Sequence, residues 1–544
     1  MSGWRSLWLF FLLGIVTTAR AESIFDFAAT SDEVELSIPA NLPREHDWEA
    51  LLRRRELKDF RIEVRLHGPS PYARDSDTLF IPASNTKLFT AGLALERLGR
   101  DYQFETRIEW HRLDTRDATK VTQLTLVGSG DPTWGLPELG ETLSTRVDRL
   151  ADQLYLQGVR EIHGEIKLRA SDQRWNSLSY PAGWTQEEKT QCYGALPQAF
   201  NLDINCAAYI VRGVGRGRWA DKGVATPVEL ALRSGEETKL YVAPVENQNG
   251  VSVGFRVTGT WKQGSQAKQL ILPINDVGAW VRNLFIESLK KKGIRIVTEP
   301  PDRWNAKAYS TRHYSPELEQ VLKPFLKQSI NVIGDALFKY MGQKFGGANE
   351  DLWQAGQSVM SRYISNLGTL TARAQRIRPT YGYFAKRVSL VDGSGISRES
   401  SVTTGAVMTL LQDLKVRDDF DVIWGALPIA GKDGTLVYRM RNTAAHQVLR
   451  AKTGTLRGVY NLSGYVPKYG AKGEILEYFP FVILSKTTQK YKAAARSAQD
   501  RVGAALAEIV NAKVNARRLA IEDDAPAEGC LRIFDETCDA IPQP

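Results

Sequence analysis

Three short polar motifs, widely separated along the chain, constrain its fold more than any other feature. Ser84 and Lys87 form a Ser-x-x-Lys motif, Ser329 and Asn331 form a Ser-x-Asn motif, and Lys452 opens a Lys-Thr-Gly motif. The first two motifs are 245 residues apart, counted from position 84 to position 329. Each motif alone is weak, so their combination and order carry the information. If they act together, the fold must bring three distant segments to one site.

Local patterns predict the secondary structure around the first and last motifs. Apolar and charged residues alternate from Phe60 to Leu66, which is the period of a strand with one buried face. From Leu88 to Leu98 apolar residues recur at helical spacing, and Gly99 can end the helix. Ser84 is therefore expected at or near a helix N-terminus. Residues 448–455 are predicted to form a strand that carries the Lys-Thr-Gly motif.

The residue types of the motifs suit nucleophilic catalysis. A serine hydroxyl is a poor nucleophile at neutral pH and must lose its proton to a nearby base as it attacks. Lys87 lies one helical turn beyond Ser84 and can be that base if burial and the positive charge of Lys452 keep it partly neutral. Ser329 can relay a proton towards the leaving amine, and Asn331 can hold Lys87 and the substrate amide.

The Lys-Thr-Gly segment has the groups needed to bind an anionic substrate. On an edge strand, Lys452 and Thr453 would present a cation and a hydroxyl to a carboxylate, and Gly454 would let the backbone approach closely. The backbone N–H groups of Ser84 and Thr455 are expected to form an oxyanion hole, which stabilises the transition state of acyl transfer.

Other catalytic designs fit the sequence poorly. None of the six histidines stands in a metal-ligand pair, and no Gly-x-Ser-x-Gly elbow is present, which disfavours a Ser-His-Asp hydrolase. A second Ser-x-x-Lys, from Ser288 to Lys291, lies in a segment with ordinary amphipathic helical spacing. Residues Gly213 to Gly217 resemble a dinucleotide-binding loop only superficially, and a surface turn is favoured there.

The length of the chain and a change in its texture predict more than one domain. A chain of 544 residues exceeds the roughly 250–300 residues at which a single core stops growing, so two or three domains are expected. Residues 101–272 are rich in short β-like runs separated by turns, which indicates a β-rich inserted region. Helical spacing returns at 278–292 and after Ser329, and a last helix is predicted from about Tyr491 to Ala516.

The N-terminus has the layout of a cleaved secretory signal. Arg5 precedes an apolar run from Leu7 to Val16, and Ala19-Arg20-Ala21 precedes Glu22. An uncleaved membrane anchor is the alternative, but the run is shorter than the roughly 20 residues that a span needs. We therefore expect a soluble exported protein with residues 1–21 as its signal, and we prefer a periplasmic location.

The charge and the cysteines are consistent with an exported protein. The formal net charge of +9 falls by two when Arg5 and Arg20 leave with the signal, and the scattered basic residues do not predict a nucleic-acid partner. The cysteines fall into two local pairs, Cys192 with Cys206 and Cys530 with Cys538. In an oxidising compartment this pattern predicts two short-loop disulfides, and free buried thiols are the alternative.

With its motifs in this order, the chain resembles the serine penicillin-recognising enzymes. More specifically, it is similar to the D-Ala-D-Ala carboxypeptidase/endopeptidase family of penicillin-binding protein 4, the class C low-molecular-mass enzymes. The resemblance covers nearly the whole mature sequence. Besides the three motifs, the stretches that carry it are Ile81–Leu88, Gly128–Thr133, Tyr193-Gly-Ala, Ser329–Phe338, Asp392–Arg398 and Ala430–Leu436.

This resemblance implies an α/β (α+β) transpeptidase-like domain that is split by a large insertion between its first two motifs. For this chain it predicts a catalytic domain of residues 22–100 and 273–520. The β-rich inserted region would comprise residues 101–272, with a nested subdomain at about 173–245, and residues 521–544 would form a tail. Such an insertion separates the family from the compact β-lactamases.

The resemblance also implies an activity and a set of site residues. The expected substrates are peptidoglycan peptides that end in D-Ala-D-Ala or are cross-linked, and β-lactam antibiotics are expected to acylate the enzyme, with no cofactor. Ser84 would be the acylated nucleophile and Lys87 its base, assisted by the other motif residues. The remaining catalytic residues would be Ser329, Asn331 and Lys452, and the substrate-binding residues would be Thr453, Gly454, Thr455, Ser394 and Arg398.

Two positions depart from the family pattern. Ile330 stands where many relatives have Asp, and Ser485 stands where relatives often have Asn. Neither change removes a required group, so an active enzyme is expected. The alternatives are a non-catalytic cell-wall or β-lactam-binding homologue, which the intact motifs disfavour, and a β-lactamase, which the long insertion disfavours. The sequence leaves open the oligomeric state and the balance of carboxypeptidase, endopeptidase and transpeptidase activity.

Overall fold

A computed structural model describes residues 60–64, 72–74, 77–248, 251–375, 382–384 and 387–511. The predicted signal at 1–21, the tail at 521–544 and the Cys530–Cys538 pair lie outside these residues. Among the described residues, no helix is both long and apolar enough to cross a membrane.

The described chain contains seventeen strands and eleven α-helices. The strands are β1 Phe60–Val64, β2 Tyr72–Arg74, β3 Glu105–Asp114, β4 Asp117–Gly128, β5 Glu161–His163, β6 Lys167–Ala170, β7 Cys206–Gly213, β8 Arg216–Trp219, β9 Val228–Ser234, β10 Lys239–Glu246, β11 Ser252–Trp261, β12 Lys268–Pro273, β13 Arg295–Val297, β14 Ala308–Tyr314, β15 Arg450–Leu456, β16 Val459–Tyr469 and β17 Ile475–Lys486. The helices are α1 Thr86–Leu98, α2 Thr145–Leu156, α3 Gln186–Thr190, α4 Val277–Lys291, α5 Leu318–Lys327, α6 Asn331–Phe345, α7 Leu352–Ser365, α8 Thr369–Ala374, α9 Thr404–Lys415, α10 Phe420–Ala426 and α11 Lys492–Asn511.

A five-stranded antiparallel sheet joins strands from the two ends of the described chain, in the order β15-β16-β17-β1-β2. Successive residues of β17 alternate between two cores, as the two-residue period of a strand requires. Val482 and Leu484 pack with helices α1, α5, α6, α7, α9 and α10 on one face. Phe481 and Ile483 pack with α11 on the other face. The sheet is therefore covered by helices on both sides, with β15 at its edge.

The predicted elements of this part of the chain agree well with the observed ones. The strand expected at 60–66 is β1, and the helix expected from Leu88 begins slightly earlier, at Thr86. The strand expected at 448–455 is β15, and β16 and β17 are joined by a turn that contains Gly470, as predicted. The last helix runs to Asn511, the end of the described residues.

Between the first two motifs the chain forms separate sheets with their own cores. A six-stranded sheet, β13-β5-β4-β3-β14 with β6 paired to β4, packs against α2 and α4. Two three-stranded sheets, β10-β11-β9 and β12-β7-β8, enclose a further core. Residue 272 is the predicted end of the inserted region. Strands β13 and β14 follow it in sequence but pair with β5 and β3, which precede it. The domain boundaries given above, including the nested subdomain, stay predictions.

The predicted disulfide between Cys192 and Cys206 is present. It joins a short turn at Cys192–Gly194 to the first residue of β7, across 14 residues of sequence. Since Tyr193 lies within this turn, the disulfide anchors a segment that also reaches the site described next.

Candidate active site

Ser84 lies in a single 3-10 turn, Ala83–Asn85, that leads directly into α1. Its hydroxyl is half-buried, whereas the neighbouring Asn85 is fully buried. The Asn85 side chain donates a hydrogen bond of 2.6 Å to Ser463 Oγ on β16. The turn is thus fastened to the five-stranded sheet, and the serine is fixed at the start of the helix.

The edge strand β15 packs tightly against the same turn. Asn461, on β16, donates hydrogen bonds from its amide to Ile81 O at 3.0 Å and to Pro82 O at 2.8 Å. Gly454 leaves no room for a side chain, since a Cβ there would lie 2.9 Å from Pro82 O. This close approach places the Lys-Thr-Gly strand beside the serine, and the substrate-binding role of Gly454 stays a prediction.

Lys87 joins the first two motifs. Its Nζ donates hydrogen bonds to Ser84 Oγ at 2.9 Å, to Asn331 Oδ1 at 2.6 Å and to Ser394 O at 2.8 Å. The whole side chain is buried. Helix α6 begins at Asn331, whose amide also donates to Tyr193 O at 2.9 Å. The inserted region therefore contributes a backbone contact to the site.

Lys452 joins the second and third motifs. Its Nζ donates hydrogen bonds to Ser329 Oγ at 2.8 Å and to Thr453 O at 2.9 Å. Ser329 has a φ of 62°, a left-handed conformation that is uncommon for a residue other than glycine. Such a conformation is retained where the surroundings over-determine it, as they do at many functional sites. The three motifs thus converge, with Lys87 and Lys452 each bonded to a serine.

Burial lowers the pKa of Lys87 to about 7, because a buried ammonium loses its hydration. The charges of Asp335 and Asp392 act in the opposite direction and raise this pKa. A lysine with a pKa near neutrality is available as a neutral amine, which can accept the proton of Ser84 along the existing 2.9 Å contact.

We expect acylation of Ser84 by penicillin to become faster as the pH rises through about 7, because Lys87 must be neutral to accept a proton. Below this pH Lys87 is protonated and the rate should fall about tenfold per pH unit. The measurement is the second-order rate constant of acylation as a function of pH. A rate that stays constant, or that falls through this range, would contradict a lysine base.

Thr453 and Thr455 lie half-buried on β15, at the accessible side of the site. Thr453 Oγ1 donates a hydrogen bond of 2.8 Å to Thr435 Oγ1. Thr435 was not predicted as a site residue, although it belongs to the stretch 430–436 that carries the family resemblance. Because this contact uses the one hydroxyl proton of Thr453, binding a substrate carboxylate would require that proton to turn away from Thr435.

Ser394 and Arg398 occupy different positions in one loop. The side chain of Ser394 is fully buried behind Lys87, and its carbonyl contacts that lysine. Arg398 is half-buried at the edge of the site, where Nη1 donates to Arg457 O at 3.3 Å and Nη2 lies 3.6 Å from Glu188 Oε1. Between them, Gly395 has a φ of 88° and packs against Ala83 O, 1.9 Å from where a Cβ would lie.

Ile330 and Ser485, the two positions that depart from the family pattern, pack against or bond to residues that surround the site. Ile330 precedes α6 and packs, partly buried, against the main helical core. Ser485 is buried; its backbone N–H donates to Asn461 Oδ1 at 3.1 Å and its hydroxyl donates to Tyr460 O. Ser485 therefore supports Asn461, a residue that no sequence pattern had identified.

The second Ser-x-x-Lys is not part of this site. Ser288 is buried in α4 and its hydroxyl donates to Asp148 on α2. In the described ranges, no group of three or more His, Cys, Asp or Glu side chains is arranged to hold a metal ion.

The chain is similar to known carboxypeptidases. Residues 66–506 match the model of the D-Ala-D-Ala carboxypeptidase 3 (S13) family. The chain is 31% identical to a D-alanyl-D-alanine carboxypeptidase of Actinomadura sp. (strain R39), over 75% of this chain and 74% of that protein. It is 25% identical to the D-alanyl-D-alanine carboxypeptidase DacB of Haemophilus influenzae, over 75% of this chain and 81% of that protein.

The fold has a counterpart among solved structures. Penicillin-binding protein 4 (dacB) from Haemophilus influenzae superposes with a TM-score of 0.65 at 22% identity, covering 86% of this chain and 99% of that one. The predicted transpeptidase-like fold with a β-rich insertion is thereby confirmed. The match over 66–506 and the identity to a carboxypeptidase lead to one conclusion: the chain belongs to the D-Ala-D-Ala carboxypeptidase 3 (S13) family of peptidases.

Proposed function

We propose that this protein removes the terminal D-Ala from peptidoglycan peptides through an acyl-enzyme on Ser84. The observation that carries the proposal is the position of Lys87 Nζ, 2.9 Å from Ser84 Oγ and 2.6 Å from Asn331 Oδ1 in a fully buried setting. A serine paired with a buried amine of lowered pKa has the two components of nucleophilic catalysis, a nucleophile and its base.

Acylation begins when neutral Lys87 accepts the proton of Ser84 as Oγ attacks the carbonyl carbon of the penultimate D-Ala. The carbonyl oxygen becomes an oxyanion, and we assign its stabilisation to the backbone N–H groups of Ser84 and Thr455. The C–N bond then breaks and the leaving D-Ala nitrogen takes a proton. Ser329 Oγ, which contacts Lys452, is the proposed donor to that nitrogen. Ser329 then regains a proton from the ammonium of Lys87, which returns to the neutral amine.

Substrate recognition is assigned to the edge strand and the neighbouring loop. The Lys452 ammonium and the Thr453 hydroxyl would bind the terminal carboxylate, while the edge of β15 beyond Ala451, whose N–H donates to Pro428 O, would pair with the peptide backbone. Arg398 would meet a carboxylate on the donor peptide. The carboxylate of Glu188 lies 3.6 Å from the Arg398 guanidinium and would partly neutralise its charge. A substrate carboxylate would therefore bind Arg398 from the side opposite Glu188.

Deacylation distinguishes the natural peptide from penicillin. After D-Ala leaves, water can enter the vacated space and attack the ester on Ser84. An opened penicillin keeps its leaving nitrogen tethered and obstructs this attack, so its ester should persist.

Cleavage of cross-links would use the same acyl-enzyme with a peptide side-chain amine as the leaving group. Digestion of purified peptidoglycan with identification of the products would measure the share of that activity.

The test compares turnover of the two substrates. We expect many equivalents of D-Ala to be released from a D-Ala-D-Ala peptide during the lifetime of one penicillin adduct, because nothing tethered blocks water after D-Ala departs. Intact-protein mass spectrometry follows the adduct while an assay of free D-Ala follows the peptide. Rapid multiple-turnover hydrolysis of penicillin with negligible D-Ala release would identify a β-lactamase and refute the proposal.

We further propose that the protein acts in the periplasm after export. The support is the signal-like pattern of residues 1–21 and the disulfide between Cys192 and Cys206, which forms in oxidising compartments. Its partners would be peptidoglycan peptides and β-lactam antibiotics. Detection of the mature chain, beginning near Glu22, in a periplasmic extract would test the location.

A further inference from the structure

Two carboxylates, Asp335 and Asp392, are fully buried behind the catalytic lysine. Neither was assigned a role above. Burial of a carboxylate is unfavourable unless hydrogen bonds or an opposite charge compensate for lost hydration. The two residues therefore need a physical explanation, and their hydrogen bonds provide one.

Asp392 stabilises the loop in which it lies. Its Oδ1 accepts from Gly395 N at 2.8 Å, and its Oδ2 accepts from Ser397 N at 2.6 Å and from Trp184 Nε1 at 2.9 Å. Both oxygens are thus used to shape residues 392–397 and to join them to the inserted region. These contacts explain Asp392 as a structural residue.

Asp335 differs because its hydrogen bonds lead to Lys87. Its Oδ1 accepts from Gly393 N at 3.0 Å and from Ser394 N at 2.9 Å. The carbonyl of the same Ser394 accepts from Lys87 Nζ at 2.8 Å. The position of that carbonyl, and hence one of the three hydrogen bonds that orient the lysine, depends on the Asp335 carboxylate.

The placement of Asp335 on α6 strengthens this dependence. Asn331 and Asp335 are four residues apart on one helix, so they lie on the same face, one turn from each other. Asn331 contacts Lys87 directly, and Asp335 contacts it through Ser394. One rigid helix thus fixes two of the acceptors around the lysine.

We propose that Asp335 is a positioning residue for the catalytic lysine: its carboxylate holds the Ser394 carbonyl against Lys87 Nζ and supplies the buried negative charge that stabilises the ammonium formed during acylation. Proton transfer from Ser84 turns a neutral amine into a cation in a site without bulk water. A nearby carboxylate lowers the free energy of that cation.

The charged groups around Asp335 agree with this function. Lys87, Asp392 and Lys339 interact with it electrostatically, and Lys452 is bonded to Ser329. Burial and the charge of Asp392 raise the pKa of Asp335 to about 8, and the hydrogen bonds from Ser394 and Gly393 and the charge of Lys87 offset only part of this rise. The carboxylate is thus most stable as an anion when Lys87 is a cation.

The test is the pH profile of Ser84 acylation by penicillin in an Asp335→Asn variant. Asparagine keeps an oxygen that can accept from Gly393 and Ser394, but its NH2 group replaces the buried Oδ2, which accepts no hydrogen bond from any described residue, so the substitution removes the charge at some cost in stability. Without that charge the lysine should lose its proton more easily. The part of the profile in which the rate rises with pH, the acidic limb, should therefore shift to lower pH by about one unit. The plateau rate should fall about tenfold, because the base is weaker and the ammonium is less stabilised.

A matched control is Asp413→Asn on α9. Asp413 is also almost fully buried, and it likewise accepts from two backbone N–H groups, Gly368 N at 2.5 Å and Thr371 N at 2.9 Å at the start of α8, but it does not contact the site. This variant should lose stability without moving the acidic limb. An Asp335→Glu variant keeps the charge and should keep the limb near its wild-type position, with a reduced plateau.

The outcomes separate this inference from the proposed function on which it rests. If Asp335→Asn has the wild-type limb, or if Asp335→Glu or Asp413→Asn moves the limb as far as Asp335→Asn does, the proposed role of Asp335 is wrong. If the wild-type protein is not acylated on Ser84 at all, the proposed function itself fails. Thermal unfolding of each variant establishes that the rates come from folded protein. Should Asp335→Asn not fold, the plateau rate of folded Asp335→Glu decides the question: a reduced plateau with an unmoved limb supports a positioning role, and a wild-type plateau contradicts it.

Discussion

A Ser84→Ala variant is expected to lose all covalent labelling by penicillin and all release of D-Ala while remaining folded. The substitution removes the only nucleophile that we propose, so no acyl-enzyme can form. Its structural cost should be small, because the hydroxyl is half-buried and Asn85 and Asn461 hold the turn through groups that the substitution leaves in place. Intact-protein mass spectrometry after penicillin treatment and an assay of free D-Ala measure the two losses.

Ser288→Ala is the matched control for this experiment. Ser288 has the same Ser-x-x-Lys spacing but lies in α4, where it bonds to Asp148. Loss of that hydrogen bond should cost about 1 kcal/mol of stability and leave acylation unchanged. An adduct that persists in the Ser84 variant, or that peptide mapping places on Ser288, would disprove the assignment of the nucleophile.

The second large effect is expected for Lys87→Met. Methionine fills a similar volume in the buried space but cannot accept a proton or bond to Ser84, Asn331 and Ser394 together. General-base catalysis typically contributes a factor of about 10² to 10⁴, so acylation by penicillin should slow by that order. The remaining slow reaction should also lose the rise with pH near neutrality, since the group that titrates there is absent. Stopped-flow or quenched acylation across the pH range measures both effects.

Lys291→Met controls for removal of a lysine from the Ser-x-x-Lys that begins at Ser288. Lys291 is exposed at the end of α4, and its replacement should change neither the rate nor its pH dependence. If Lys87→Met retained the wild-type profile, the base would have to be another group, and Lys452, bonded to Ser329, would be the next to test.

Much of the local structure followed from the sequence alone. The alternation from Phe60 specified β1, and helical spacing beyond Ser84 specified α1, which begins two residues after the serine. The strand around Lys452 was predictable because a short run between turn signals favours extended structure. These features depend on residues close together in sequence, which is why a periodic pattern reveals them.

The order of the motifs also predicted which distant residues meet. Two serines, two lysines and an asparagine with these spacings identify a known chemistry, and the resemblance supplied the fold that joins them. The contacts of Lys87 with Ser84 and Asn331, and of Lys452 with Ser329, agree with that expectation. Their catalytic roles remain predictions, for which the two substitutions above are the tests.

Only the tertiary structure decided what surrounds these residues. Asn461 contacts a turn 379 residues earlier in the chain, and Asp335 contacts a loop 59 residues later. Ser394, expected to line the pocket, has its side chain buried behind Lys87. Such contacts leave no periodic signal, because they arise where separately formed elements pack together. The sequence by itself determined the reactive groups and the elements that carry them. Packing determined their burial, and through burial the pKa of the lysine on which the proposed chemistry depends.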